Sequence, residues 1–257
     1  MDEGTLVTGS KGSLGRALKD SLYYGQFTTK LDFDITNYAQ MENFLAIKKP
    51  HTVIHCAAMT NVVVCELDKP KAYETNVTGT MNLIKAMKNI VPKAKLIYVS
   101  TPCVFAGELN KEYSEYDLPN PVNFYGFTKA IAEQAVQSSG LDYLIIRANF
   151  VNRGKWKYPQ AHTNRFGRNI YVDEFADAII KKRDKTGIVH VVADKITSLY
   201  EKAKEEDPEV KPIEFNQDLY VENTPIHLTI NMTLSSSTCS PIKSKPLIPD
   251  VLKKTKR

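Results

Sequence analysis

Short β-branched runs alternate with longer amphipathic stretches along most of this chain, and this alternation limits its fold more than any other feature. The runs are TLVT, HTVIHCA, KLIYVS, DYLIIRA and GIVHVVA. Helical periodicity is predicted between them, over about Leu14 to Tyr24, Ala72 to Met87, the stretch around Tyr125, and YVDEFADAII. Strands that alternate with helices form parallel sheets, because each connection must cross back over the sheet. The pattern predicts an α/β fold with a doubly wound parallel sheet.

A glycine loop joins the first run to the first helix. Gly9, Gly12 and Gly15 stand in VTGSKGSLGRAL. Such a loop exposes backbone amides at a helix amino terminus, whose partial positive charge suits a pyrophosphate, and side chains there would keep the backbone from the phosphates. The spacing differs from the commoner fingerprint, so a plain tight turn stays open. Asp32 and Asp34 follow about 20 residues later, where an acidic residue takes adenosine ribose hydroxyls, or both are exposed turn residues.

Tyr125 and Lys129 stand four residues apart in NFYGFTKAIAEQAV, on one face of a predicted helix. A free phenol titrates near pH ~10, and an ammonium beside it favours the phenolate. Together with the glycine loop, this pair predicts nicotinamide chemistry with Tyr125 as the proton donor. For Lys129 the alternative is a solvated helix face.

The domain organisation follows from where the periodicity breaks. We predict a Rossmann-like dinucleotide-binding domain over 1–148 and 170–206, where strands and helices alternate. The polar and aromatic segment 149–169 and the irregular region 207–240 predict a small, irregular C-terminal substrate-binding lobe. Residues 241–257 are expected to form a mobile tail.

The charge of the chain gives no reason to expect a nucleic-acid partner. The formal net charge is +5, and much of the excess comes from Lys253, Lys254, Lys256 and Arg257 at the chain end. A cluster of this kind is typical of a solvated tail. A mildly basic surface also suits an anionic small ligand.

Location and metal content are predicted from what the chain lacks. No apolar run approaches the roughly 18 residues that span a bilayer, and the amino terminus lacks the features of a signal peptide. We therefore expect no membrane partner and a cytoplasmic location. The four cysteines, Cys56, Cys65, Cys103 and Cys239, show no metal-ligand spacing. Free thiols in a reducing compartment and no metal are expected.

Four motifs in order resemble the extended short-chain dehydrogenase/reductase superfamily, and most closely its dTDP-4-dehydrorhamnose reductase branch. They are the glycine loop, HCAAMTNVVVCE, VSTPCVFAG and YGFTK, and the resemblance covers roughly residues 4 to 200. It implies an NAD(P)H-dependent reductase that acts on a keto group of a nucleotide-linked deoxysugar. The catalytic set it implies is Thr101, Tyr125 and Lys129. The cofactor contacts it implies are Gly9, Ser10, Lys11, Gly12, Ser13, Leu14, Asp34, Ile35, Cys56, Ala57, Ala58, Thr60, Asn76, Ser100, Tyr125 and Lys129.

Departures from the family pattern bear on the reaction and the substrate. Dehydratases of the superfamily follow the catalytic Thr with Asp and Glu, whereas Pro102 and Cys103 stand here, so dehydration is disfavoured. The reductase branch usually has Asp at the position of Pro102. The predicted substrate contacts are Val104, Phe105, Asn149 and Arg153. The basic residues Arg147, Arg153, Lys155 and Lys157 are expected either to meet a substrate diphosphate or to form a basic surface loop.

Three alternatives stay open from the sequence. An epimerase of sugar nucleotides would retain NAD, and a regulatory subunit similar to the beta subunit of methionine adenosyltransferase would bind the cofactor without catalysis. The choice between NAD and NADP is undecided, because Lys11 and Arg16 favour a ribose phosphate and Asp32 or Asp34 opposes it.

The sequon at Asn76 is disfavoured as a glycosylation site. A homodimer is the expected form of self-association.

Overall fold

The computed structural model describes residues 4–215, 220–221, 224–225, 227–229 and 231–236. The helices are α1 (Ser13–Ser21), α2 (Tyr38–Lys48), α3 (Val62–Leu67), α4 (Lys69–Tyr73), α5 (Gly79–Ile90), α6 (Phe124–Gln137), α7 (Val172–Lys182) and α8 (Leu199–Lys204). The strands are β1 (Thr5–Thr8), β2 (Gln26–Phe27), β3 (Thr52–His55), β4 (Lys95–Ser100), β5 (Tyr143–Arg147), β6 (Phe150–Val151), β7 (Gln160–His162), β8 (Phe166–Gly167), β9 (Ile170–Tyr171), β10 (Gly187–His190), β11 (Thr197–Ser198), β12 (Lys211–Ile213), β13 (Tyr220–Val221), β14 (Thr224–Pro225) and β15 (Asn231–Met232).

Six strands form one parallel sheet in the order β2-β1-β3-β4-β5-β10. The chain moves outward from β1 to β2, then returns through α2 to β3 on the other side of β1. Strand order therefore reverses between β1 and β3, and a crevice opens there at the carboxyl ends of the strands. The predicted α/β, doubly wound fold is confirmed.

Both faces of the sheet are buried because side chains alternate along each strand. Leu6, Val53, Leu96 and Ile145 face one core, which α2, α5 and α6 cover. The neighbouring positions, Val7, Ile54, Ile97 and Leu144, face a second core under α1 and α7. This explains why the strands are apolar at nearly every position.

Two predicted helices differ from the structure. The helix predicted to reach Tyr24 ends at Ser21, because Leu22 has an extended backbone and Tyr23 turns into solvent. The helix predicted over 72–87 is divided: α4 passes through a π-turn at Glu74–Thr78 into α5, which continues to Ile90. The π-turn carries Asn76, and such turns occur frequently at functional sites.

A smaller lobe, built from residues 150–167, 197–215, 229 and 231–236, covers the carboxyl ends of the sheet strands. In it β7 pairs with β12, and β8 pairs with β11 and β15. β11 and α8 thus lie with this lobe, although the sequence predicted them in the dinucleotide-binding domain. Residues 216–219, 222–223, 226, 230 and 237–240 of the predicted lobe, with Cys239, and the predicted tail 241–257 lie outside the described residues. No helix among those described is long and apolar enough to span a bilayer.

Candidate active site

The glycine loop lies where β1 meets α1, with its backbone pressed against the end of β3. Gly9 has φ +69°, and a Cβ there would lie 2.8 Å from the Cα of Ala57. A Cβ at Gly15 would lie 2.5 Å from the Gly9 carbonyl oxygen. No side chain caps the amino terminus of α1. The first-turn amides are therefore directed into the crevice without a side-chain acceptor, which suits an anion.

A chain of hydrogen bonds fixes the end of β3 beside this loop. The Thr8 hydroxyl accepts from the amides of Cys56 and Ala57, each at 3.2 Å, and lies 2.8 Å from His55 Nδ1. Burial lowers the pKa of His55 to about 3, with the Lys129 charge adding to the shift. The imidazole is therefore neutral at physiological pH, and it bonds through Nε2 to Thr80.

Asn76 connects the segment after β3 to helix α6. Its Oδ1 accepts from the Met59 amide at 2.8 Å, and its Nδ2 donates to the Met59 carbonyl and to the Thr128 hydroxyl. The side chain is 1% exposed. Asn76 therefore positions the backbone around the crevice, and the structure places it outside the cavity walls instead of in the predicted cofactor contact.

Two adjoining cavities occupy the crevice. One, of about 430 Å³, is lined by the glycine loop and by the three predicted catalytic residues. The other, of about 310 Å³, shares Gly9, Gly12, Cys56 and Ala58 with the first and extends toward Asp34. Between them they bring together most of the predicted cofactor contacts, namely Gly9, Lys11, Gly12, Ser13, Leu14, Asp34, Ile35, Cys56, Ala57, Ala58, Thr60, Ser100, Tyr125 and Lys129. Ser10 is buried beneath the loop, where its amide donates to Thr28.

Helix α6 presents Tyr125 and Lys129 to the larger cavity on successive turns. Asn123 caps this helix through the Gly126 amide. At Gly126 a Cβ would lie 2.0 Å from the Cys103 carbonyl oxygen, so glycine is required for α6 to approach the segment after β4. This close approach brings Thr101 and Tyr125 to the same wall.

Burial raises the pKa of the Tyr125 phenol well above its ordinary value of 10, and the neighbouring Cys103 sulfur adds to this. The nearby Thr101 hydroxyl lowers it. The sequence argument assigned a lowering of this pKa to Lys129, which is not among the groups that shift it here, so the effect of Lys129 on the phenol stays a prediction. Tyr125 is therefore protonated at neutral pH, with the Thr101 hydroxyl on the same wall of the cavity.

Lys129 lies 4% exposed with its ammonium directed at the sheet. Nζ donates to the Val99 carbonyl at 2.8 Å and lies 3.9 Å from the centre of the Tyr98 ring. Burial lowers the pKa of this ammonium to about 7, while Glu133 and Cys56 oppose the shift. The group is therefore near half-protonation at neutral pH, instead of being a permanent charge.

Comparisons with known proteins identify the family to which this architecture belongs. The family model described as the RmlD substrate binding domain matches residues 3–197. The chain belongs to this family. The resemblance to the extended short-chain dehydrogenases/reductases and their dTDP-4-dehydrorhamnose reductase branch is thereby confirmed.

Similar proteins of known name match this chain over only part of their own length, whereas a solved structure matches it almost throughout. A dTDP-4-dehydrorhamnose reductase of Aggregatibacter actinomycetemcomitans is 31% identical over 74% of this chain and 60% of its own length. Methionine adenosyltransferase 2 subunit beta of mouse is 33% identical over 55% of this chain and 45% of its own length. The chain thus spans about half to three-fifths of these relatives. A Bacillus anthracis dTDP-4-dehydrorhamnose reductase, solved in complex with NADP, superposes with TM-score 0.81 at 26% identity, covering 92% of both chains.

Three of the predicted substrate contacts lie away from the cavity of this RmlD-family chain. Val104 and Phe105 are fully buried, and Phe105 stacks on Tyr113 with ring centres 4.4 Å apart. Arg153 bonds to the carboxylates of Asp173, Glu174 and Glu206. The corrections have simple causes: apolar side chains are stabilised by burial, and a clustered set of carboxylates satisfies the guanidinium. Asn149 does line the cavity.

Arg147, from the predicted basic group, is corrected as well. Its guanidinium is 1% exposed and pairs with the fully buried Glu133, with Nη2 at 2.7 Å from Oε2. It therefore takes no part in the cavity lining. Cys56, Cys65 and Cys103 are free thiols. Within the described ranges, no group of three or more His, Cys, Asp or Glu side chains is arranged to hold a metal.

Sequence analysis missed several cavity residues that the lobe supplies. Arg165, Leu199 and Met232 line the larger cavity together with Phe150. Arg165 falls in the polar and aromatic segment 149–169, yet its neighbours there, Arg153 and Arg168, are equally basic. No signal in the sequence separates the one arginine that faces the cavity from the two that do not.

Proposed function

We propose that this chain is an NAD(P)H-dependent reductase of a keto group on a nucleotide-linked deoxysugar. The observation that carries the proposal is that Thr101, Tyr125 and Lys129 line one cavity together with the phosphate-binding glycine loop. A chain that only bound a dinucleotide would have no need of a protonated phenol at that wall. Membership of the RmlD family supports the same conclusion.

The residues present fit a nicotinamide dinucleotide. The cradle at Gly9 excludes any Cβ, and the uncapped α1 terminus offers donors to a pyrophosphate. Ser100 lines the same cavity, and its buried hydroxyl has no hydrogen-bond partner among the described residues. Buried hydroxyls in proteins are generally hydrogen-bonded, so a ligand group at Ser100 is the expected partner.

The cofactor, when bound, supplies a hydride to the carbonyl carbon of the substrate. Negative charge then develops on the carbonyl oxygen, and a donor must meet it. The Tyr125 hydroxyl gives its proton to that oxygen, and the Thr101 hydroxyl stabilises the phenolate left behind. Lys129, when protonated, places a positive charge at the same wall. It also lies where it would hold the nicotinamide ribose.

The adenosine end supports NADP over NAD. Lys11 and Lys30 line the smaller cavity together with a single carboxylate, that of Asp34. Asp34 accepts from the Thr36 amide and hydroxyl and pairs with Lys30 at 3.5 Å. Its charge is therefore largely engaged by Thr36 and Lys30, and the two lysines against one carboxylate leave the pocket with a net positive charge that favours a ribose phosphate.

The other candidate functions have weaker support. The similarity to the methionine adenosyltransferase beta subunit favours a regulatory subunit, but the complete set of Thr101, Tyr125 and Lys129 in the cavity favours catalysis. Similarity to a Thermus thermophilus UDP-glucose 4-epimerase, at 19% identity and TM-score 0.69, concerns the fold alone. The cytoplasmic location remains a prediction that rests on the free thiols, and the homodimer likewise remains a prediction.

The test is turnover by the purified chain and its Tyr125→Phe variant. Anaerobic incubation with NADPH or NADH and a panel of nucleotide-linked ketosugars should consume the reduced cofactor, measured by its absorbance. We expect Tyr125→Phe to lower kcat by 100-fold or more, in the range of general-acid catalysis at ~10²–10⁴, with cofactor affinity retained. Tyr143→Phe, which alters a phenol on β5 outside the cavity, is the matched control. Absence of turnover with every ketosugar, together with a stable protein partner in pull-downs, would favour the regulatory subunit.

A further inference from the structure

Arg165 is a half-buried cation that pairs with no carboxylate among the described residues. It lies on the lobe, just before β8, and lines the larger cavity. Its Nε donates to the Thr229 carbonyl at 3.2 Å, and its Nη2 lies 3.6 Å from the Met232 sulfur. Both partners are neutral. Burial lowers the pKa of the guanidinium, yet arginine stays protonated at physiological pH.

The other lobe and sheet arginines are paired with carboxylates. Arg147 pairs with Glu133, Arg153 with three acidic side chains, and Arg168 with Glu112. Across the described part of the chain, no carboxylate lies within ion-pairing distance of Arg165, and the cavity wall contains no Asp or Glu. A charge that is partly desolvated and has no counterion is costly. The site therefore suits an anionic ligand.

The position of Arg165 separates this anion from the cofactor pyrophosphate. The pyrophosphate cradle follows β1, whereas Arg165 belongs to the lobe. Met232, which Arg165 contacts, packs in one apolar cluster with Tyr125 and Cys103. An anion at Arg165 thus lies on the lobe side of the cavity, near the phenol.

We infer that Arg165 binds the diphosphate of the substrate and so makes the enzyme specific for nucleotide-linked sugars over free sugars. This inference rests on the proposed function. A guanidinium presents parallel N–H donors that match phosphate oxygens bidentately. Nη1 of Arg165 has no hydrogen-bond partner among the described residues, so the outer edge of the guanidinium is available for this contact.

The experiment measures binding, which does not require turnover. The full chain is first saturated with NADP⁺, so that the glycine loop is occupied, and then titrated by calorimetry with thymidine diphosphate, thymidine or inorganic pyrophosphate. Arg165→Met should weaken thymidine diphosphate about 10- to 100-fold, the loss expected for hydrogen bonds to a charged group. Thymidine affinity should not change. Arg165→Lys keeps the charge but loses the paired N–H donors of the guanidinium. Its affinity for thymidine diphosphate should lie between those of the wild type and Arg165→Met.

Controls separate the subsite from folding and from the reaction. Arg168→Met removes a nearby arginine that is paired outside the cavity, and should leave all three titrations unchanged. NADP⁺ affinity reports whether each variant folds. If Arg165→Met no longer binds NADP⁺, the test of the subsite uses Arg165→Lys instead. Equal thymidine diphosphate affinity in wild type and a folded Arg165 variant overturns the inference, even if ketosugars are reduced. Arg165-dependent binding without turnover of any ketosugar upholds the subsite and overturns the proposed reduction.

Discussion

Replacing Glu133 by Gln should move the pH dependence of catalysis to lower pH. Tyr125, Lys129 and Glu133 occupy successive turns of α6, and Glu133 is completely buried. Its carboxylate opposes the effect of burial on Lys129, whose pKa is lowered to about 7. Without the negative charge of Glu133, less opposes the effect of burial, so the pKa of Lys129 must fall further.

The size of the shift follows from the helix geometry. Side chains four residues apart lie ~6 Å from each other, which at an effective dielectric constant of ~20 gives roughly 2.8 kcal/mol, or about 2 pKa units. Arg147 cancels part of this field because it bonds directly to Glu133. We therefore expect a shift of about 1 unit or more. At pH 7 a shift of about 1 unit lowers the protonated fraction of Lys129 about fivefold.

The assay is kcat/KM for ketosugar reduction across pH 5 to pH 9, a range chosen to span about 2 units on each side of the Lys129 pKa. Activity that requires protonated Lys129 falls as pH rises through its pKa, so this alkaline limb should move to lower pH in Glu133→Gln. The variant leaves Arg147 buried without its partner, at a cost of ~3–5 kcal/mol. Glu133→Gln combined with Arg147→Met removes both charges and should show a smaller shift in a better-folded protein. Alkaline limbs that coincide in wild type, single and double variants would refute the reasoning.

Three further predictions concern the loop, the lysine and the cofactor. Gly9→Ala should abolish cofactor binding and lower the free energy of unfolding by ~1–3 kcal/mol, because the added Cβ would meet the backbone of Ala57. Gly154→Ala is the control: Gly154 also has a positive φ, but no atom lies within 4 Å of a Cβ built there. This variant should lose stability and still bind the cofactor. Lys129 has a folded pKa of about 7 against 10.5 unfolded, so the wild type should gain stability as pH rises from 7 toward 10.5, and urea unfolding of Lys129→Met should lack this rise. Lys30→Met should raise the Kd of NADPH several-fold while NADH binds as before or more tightly; equal losses for both cofactors would contradict a ribose-phosphate role.

Sequence pattern predicted the sheet and the cofactor side of the site because both depend on local rules. Strand runs that alternate with helices allow few topologies, and positions four apart on a helix share a face, which placed Tyr125 beside Lys129. Gly9 could be assigned because only its backbone matters. The end of α1 and the π-turn at Asn76 escaped prediction. The π-turn depends on hydrogen bonds from the Asn76 side chain to the backbone of Met59, 17 residues earlier in the chain.

The substrate side could not be predicted, because there the same residue type serves opposite purposes. Arg147, Arg153 and Arg165 are equally basic in the sequence, and only tertiary pairing decides which of them faces a ligand. Arg147 meets Glu133 across the α6–β5 contact, and Arg153 meets acidic groups of α7 and of the segment after α8. Carboxylates from distant segments neutralise Arg147 and Arg153, whereas Arg165 has no carboxylate partner among the described residues.

The division between helix and lobe implies that chemistry and specificity are separable in this protein. Helix α6 carries the proposed proton donor and the lysine, is fixed by Asn123 and by Thr128, and is anchored to β5 through Glu133. Arg165 belongs to a lobe of two- and three-residue strands. Changes at Arg165 should therefore act mainly on KM, because they alter ground-state and transition-state binding alike, whereas changes on α6 should act on kcat. A substitution at Arg165 that lowered kcat at unchanged KM would mean that the lobe takes part in proton transfer itself.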